Sequence, residues 1–255
     1  DPVTDAQSAE RVPWRPYEDN IKGFFRTGST ITNNISLEGG GENGSARASL
    51  THSKNEWIMP NTGFERYSAA LSLNQKISEK LNLNAKFNYS NRLSDNLPAT
   101  GYNNQSIAYF MIFQNPSIPL EAYKGKWKPG LEQIEQLHPF SGFIDNPYLI
   151  AEEMTNSVEN HNTVGNFSAT YKFTPNLDLM VRSGLALSQE AREQRRPYST
   201  ANFARGYYKE QDITNFEINT DALLTYRNKI GESIDLSTSL GGNLRNNKYR
   251  SINSY

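Results

Sequence analysis

The chain has 255 residues, a formal net charge of −1, 36% hydrophobic residues and a mean hydropathy of −0.70. So balanced a charge excludes a general nucleic-acid binder, which needs a basic surface. The absence of cysteine excludes a disulfide framework and a thiolate metal site, and no apolar run approaches the length of a membrane-spanning helix.

No signal peptide is visible at Asp1, as expected of a mature or truncated product. Residues 1–28 read as an extracellular or linker segment leading into a series of strands. From residue 29 apolar and polar residues alternate with period two, which puts them on opposite faces of a strand. Ile31, Ile35 and Leu37 alternate with Thr32, Asn34, Ser36 and Glu38. Strands are expected at 29–39, 45–53, 67–77, 81–91, 163–173, 177–189, 213–227 and 233–245. The fourth is the clearest, with Leu81, Leu83, Ala85, Phe87 and Tyr89 against Asn82, Asn84, Lys86, Asn88 and Ser90.

Ten charged residues lie inside these strands: Glu38, Arg47, Lys76, Lys86, Lys172, Asp178, Arg182, Glu217, Asp221 and Asp235. All ten take the polar parity. Asn33, Gln75 and Ser183 are exceptions on the apolar side, as are Met180 and Leu223 on the polar side. Strands of about ten residues, apolar outward and polar inward, are what a transmembrane β-barrel requires. Its alternate polar positions explain a low hydropathy in a membrane protein.

Tight turns are expected at Gly39 to Gly44, Ser78 to Lys80, Thr174 to Asn176 and Asn228 to Glu232, where Gly, Asn or Pro supplies the turn dihedrals. Between them fall longer connections, at about 54–66, 92–162 and 190–212, with a further loop starting over 246–255. Alternation of short and long connections places periplasmic turns on one side and extracellular loops on the other. Tyr67, Tyr89, Phe173 and Tyr226 lie near strand ends, where aromatic girdles belong.

The loop over 92–162 is too long for a connector and is rich in aromatics: Tyr102, Tyr109, Phe110, Phe113, Tyr123, Trp127, Phe140, Phe143 and Tyr148. A short helix is expected over Gln105 to Phe113, ended by Asn115-Pro116. Tyr102, Asn103, Tyr109, Phe113 and Trp127 are the candidate contacts to a substrate or a lid, either stacking on sugar rings or gripping peptide side chains. The competing reading packs these aromatics onto the barrel rim. Lys86, Arg182 and Asp221 are candidate lumen-facing residues. No catalytic, cofactor or metal constellation is visible: His52, His138 and His161 are isolated, and the glycine run at 39–44 lacks the Lys-Ser/Thr of a phosphate loop. A soluble β-sandwich carbohydrate-binding module also satisfies the alternation, although its strands are usually shorter.

The stretch Asn20 to Gly28, reading NIKGFFRTG, is followed by Asn33 to Gly40, then Pro60-Asn61-Thr62-Gly63, Asp95 to Tyr102, Asp145-Asn146-Pro147-Tyr148 and Gly241-Gly242-Asn243. In this order and spacing the set resembles the SusC/RagA family of TonB-dependent outer-membrane transporters of Bacteroidetes, over most of residues 20–245. The resemblance implies an all-β chain forming a transmembrane antiparallel wall, eight strands of a larger, 22-stranded barrel, without the plug and TonB box. It implies a multi-pass location in the bacterial outer membrane, no enzymatic activity and no cofactor. Implied partners are a SusD-like surface lipoprotein, TonB acting through the absent plug, outer-membrane lipid, and an oligosaccharide or oligopeptide cargo.

Overall fold

The computed structural model describes residues 13–103, 105–138, 142–231 and 233–255. Eight strands form one antiparallel sheet in sequence order: β1 (Ser29–Gly41), β2 (Gly44–Glu56), β3 (Gly63–Lys76), β4 (Leu81–Ser94), β5 (Asn156–Thr174), β6 (Leu177–Thr200), β7 (Phe203–Ile230) and β8 (Ile234–Ser254). Short helices α1 (Asn20–Phe24), α2 (Ile107–Phe113) and α3 (Pro147–Glu152), with a 3-10 turn at Leu120–Tyr123, lie outside it. Among the described residues no helix is long and apolar enough to cross a membrane, which leaves crossing by strands untouched.

Directly paired residues share a face, so the register carries parity from strand to strand. Ile35 pairs with Leu50, Leu71 with Phe87, Ala85 with Phe167, Leu185 with Ile218 and Leu224 with Leu240. These pairs make one continuous apolar face. Following the same register, all ten charged residues named from the sequence fall on the opposite face. Among the described residues nothing packs against the apolar face: Ile35, Leu71, Phe167, Leu240 and Leu244 stand exposed. The second sheet that a sandwich requires is absent among the described residues.

The apolar band has limits. On β6 it runs from Leu177 to Leu187 and on β7 from Phe216 to Tyr226, about 11 residues each, the length a tilted strand needs to cross a bilayer. Past the band, on the same face, come Glu65, Glu159, Glu193, Glu210 and Lys248. Aromatics mark both margins. Tyr171 and Phe173 meet at 5.1 Å near the tight turns. At the other margin His52 stacks on Tyr67 at 4.7 Å, and Tyr89 Oη is hydrogen-bonded to His161 Nδ1 at 2.7 Å.

The tight turns occur where expected. Between β1 and β2 only Glu42 and Asn43 remain outside the ladder; a Cβ on Gly44 would lie 2.4 Å from the Asn74 carbonyl oxygen, so this corner tolerates only glycine. The connections at the other end differ from expectation. The loop over 54–66 shrinks to 57–62, and 92–162 to 95–155. The region 190–212 is not a loop: β6 and β7 continue through it and turn at Ala201-Asn202. Likewise 246–254 extends β8, paired with β7 up to Glu210. In each case the apolar band has ended and polar residues occupy both faces, so the alternation that reveals a strand in sequence disappears while the backbone ladder goes on.

Candidate functional site

At the end of the sheet away from the tight turns, residues 95–155 fold into a compact module with its own core. Ile107, Phe110, Leu120, Tyr123, Leu137, Ile144, Ile150 and Met154 are buried there, and α1 contributes Phe24. The segment preceding β1 is thus part of the module: Asn20 donates to the Ile118 carbonyl at 2.6 Å and accepts from Leu120 N at 2.8 Å, and Phe24 meets Tyr148 edge-on at 5.2 Å. Of residues 1–28, those before 13 lie outside the described residues.

Several of the sequence pieces that carry the family resemblance hold this module to the rim. Asn61 and Asn96 both donate to the Ala151 carbonyl, at 3.1 and 3.2 Å. The Asn96 side-chain oxygen accepts from Asn156 N. Asn146 caps α3 by accepting from Tyr148 N and Leu149 N, and its amide donates to the Tyr123 and Leu137 carbonyls, with Pro147 at the first helical position. On β6, Arg196 is buried with no acidic partner among the described residues; it donates to Gln105 Oε1, the Thr155 carbonyl and Asn156 Oδ1. Nothing in the sequence distinguished Arg196 from its neighbour Arg195, since its role depends on a segment about 90 positions earlier in the chain.

Asp145 is also buried. Its Oδ1 accepts from Gln136 Nε2 at 2.7 Å and from Ala201 N at 2.8 Å, which ties the module to the β6–β7 turn. Its Oδ2 has no partner among the described residues, and burial pushes the carboxyl pKa up against the lowering pull of those two donors and of His138.

The expected helix forms as α2, capped by Ser106, which accepts from Ala108 N. It brings three of the five predicted contact residues together. Tyr102 and Tyr109 lie 4.9 Å apart, Tyr109 and Phe113 5.1 Å, and Tyr102 and Phe113 6.0 Å. Tyr102 is 70% exposed and the adjacent Ile112 62%. Asn103 adjoins the cluster and shapes the turn before α2, accepting from Gln105 N. Trp127 does not join it; it is buried and its indole donates to Glu153 at 3.3 Å, a packing role. Phe140 lies outside the described residues.

On the polar face, Arg182 makes a two-pronged ion pair with Asp221, at 3.1 and 3.0 Å. Lys86 lies opposite Ser72 and Asn166 and has no ion pair among the described residues. Among the described residues no cluster of His, Asp and Glu suits a metal ion.

No protein-family model matches the chain. Over 239 residues it is 27% identical to the TonB-dependent receptor SusC of Bacteroides thetaiotaomicron, covering 89% of this chain and 23% of that protein. In fold it is similar to the RagAB peptide transporter, with a TM-score of 0.70 at 19% identity, and to the closed-closed state of the RagAB peptide importer, with 0.69 at 18%. Each match covers 92% of this chain and 26% of the other. The chain therefore spans about a quarter of the length of the proteins it matches. Those proteins are receptors and importers, not enzymes. In sequence this chain is similar to SusC, and in fold its eight-stranded sheet is similar to about a quarter of RagAB-type chains.

Proposed function

We propose that this chain is wall and rim of a TonB-dependent outer-membrane transporter that imports oligosaccharides or oligopeptides together with a SusD-like surface lipoprotein. The observation that carries this reading is the continuous apolar face about 11 residues deep, with all ten charges of the band on the other side. Lipid-exposed irregular backbone and open sheet edges do not occur in hydrocarbon, so the free edges of β1 and β8 require further strands. The similarity to SusC and to RagAB supports the transport class.

In this reading the aromatic cluster Tyr102–Tyr109–Phe113 belongs to the extracellular rim. Exposed apolar patches mark interaction sites, and aromatic anchors dominate interfaces. Replacing all three rings by Ala in the intact protein should lower co-purification of the lipoprotein, or uptake of labelled oligosaccharide and oligopeptide, by about tenfold while barrel assembly stays normal. Unchanged lipoprotein binding and unchanged uptake would reduce the cluster to rim packing.

A further inference from the structure

On the polar face the two halves of the sheet are electrically unlike. Along the band on β6–β8 inward cations are matched by acids, Arg182 with Asp221, Arg245 with Glu217 at 2.7 Å, and Arg227 with Asp178, whereas Arg196, Arg205 and Lys209, nearer the β6–β7 turn, are not so matched among the described residues. Across β2–β4, Arg47, Arg66, Lys86 and Arg92 have no ion pair and no side-chain hydrogen bond among the described residues. Arg66 and Arg92 are moreover direct cross-strand partners. Like charges placed opposite on one face destabilise a sheet, and long side chains there normally find an acid. The neighbours Ser53 and Asn160 are neutral, and the inward Glu190, two strands from Arg92, is already held by Arg192 and Asn160. Below this pair, Arg47 and Lys86 flank Ser72 on the same face; Arg47 faces Glu38 of β1 across the strands, whereas the direct neighbours of Lys86, Ser72 and Asn166, are neutral.

We infer that the polar face of β2–β4 is a binding site for carboxylate groups of the cargo, with the Arg66–Arg92 pair as its upper station and Lys86 as its lower one. The inference rests on the transporter reading and narrows it to acidic oligomers, an acidic peptide being the form committed to here. A guanidinium presents a planar fork that takes a carboxylate through two bonds, and a carboxylate between two facing arginines turns their repulsion into a shared attraction. Two stations along one face would let an extended, multiply charged chain exchange one for the other as it advances.

The test uses the intact transporter in detergent and two fluorescent hexapeptides, both C-terminally amidated, one alternating glutamate with alanine and the other glutamine with alanine. Wild-type protein should bind the glutamate peptide about tenfold more tightly. In R66Q/R92Q this preference should vanish, with binding of the glutamine peptide unaltered; R66K/R92K should retain part of it. Removing the like-charge opposition leaves assembly intact, which thermal unfolding would confirm. A glutamate preference as strong in R66Q/R92Q as in wild type overturns the site. So does a wild type without preference whose R66Q/R92Q variant unfolds at lower temperature, because the arginines would then serve an acid of the protein itself. If the purified protein shows the preference while energised cells import neither peptide nor oligosaccharide, the transporter reading fails and the site stands.

Discussion

In β1, Ile31, Ile35 and Leu37 are each more than 60% exposed, whereas Ile107, Phe110 and Leu149 of the rim module are at most 1% exposed. The six are equally apolar. The wall borrows its apolar environment from outside the protein and needs only alternate greasy positions. The module builds a core of its own from helices too short to be stable alone, and so depends on packing. The same residue types therefore answer to two different solvents, and a substitution should be felt in only one region.

The largest effect is expected at Phe110, deep in the module. Phe110→Ala should cost about 3–5 kcal/mol of local stability through lost contacts and a cavity. Hydrogen exchange and proteolysis should then accelerate within 95–155 while β5 and β6 stay protected. Equal loosening of the strands would show that wall and module are one cooperative unit. Next comes the wall. Val181→Arg puts a cation on the lipid side of β6 and should cost roughly 2–4 kcal/mol near the bilayer midplane, whereas Met180→Arg, one position away and on the polar face, should cost far less. Refolding into lipid vesicles would compare them, and equal penalties would contradict the two-faced wall.

The smallest effect concerns acid. Burial raises the Asp145 pKa, so the docked module holds a proton that the undocked segment gives up. Docking should therefore be strongest at low pH and weaken as pH rises from about 4, the ordinary carboxylate value, through the raised one, then level off. Asp145→Asn keeps an oxygen for Gln136 and Ala201 and should flatten that dependence in hydrogen exchange of 142–155. A pH profile shared by wild type and variant would assign the effect to another group.

What the sequence makes legible follows from the same contrast. Residues 81–91 alternate without interruption because lipid and water face them from opposite sides, and β4 is found there. Residues 190–212 carry Arg, Glu and Tyr on both faces, since neither face meets lipid beyond the band, and the longest hairpin of the sheet is hidden as a result. The loop's aromatic richness correctly marks structured chain, yet composition cannot separate Tyr102 at the surface from Trp127 beneath it. That distinction depends on Glu153 and the module core, brought near only by folding. The unpaired Arg66 and Arg92 are readable as charges but not as neighbours, because each lies at the end of what reads as a loop.

The grip of the module on α1 has a mechanical consequence. The chain leaves the module at three places: toward β1 after Phe25, and at its junctions with β4 at Ser94 and β5 at Asn156. Arg196 adds a fourth attachment on β6. A body fastened on four different strands has no single axis about which to swing, so it cannot behave as a flap. On the proposed transporter reading, gating at this mouth would come from a part that docks and undocks, with the module serving as the fixed seat against which that part closes.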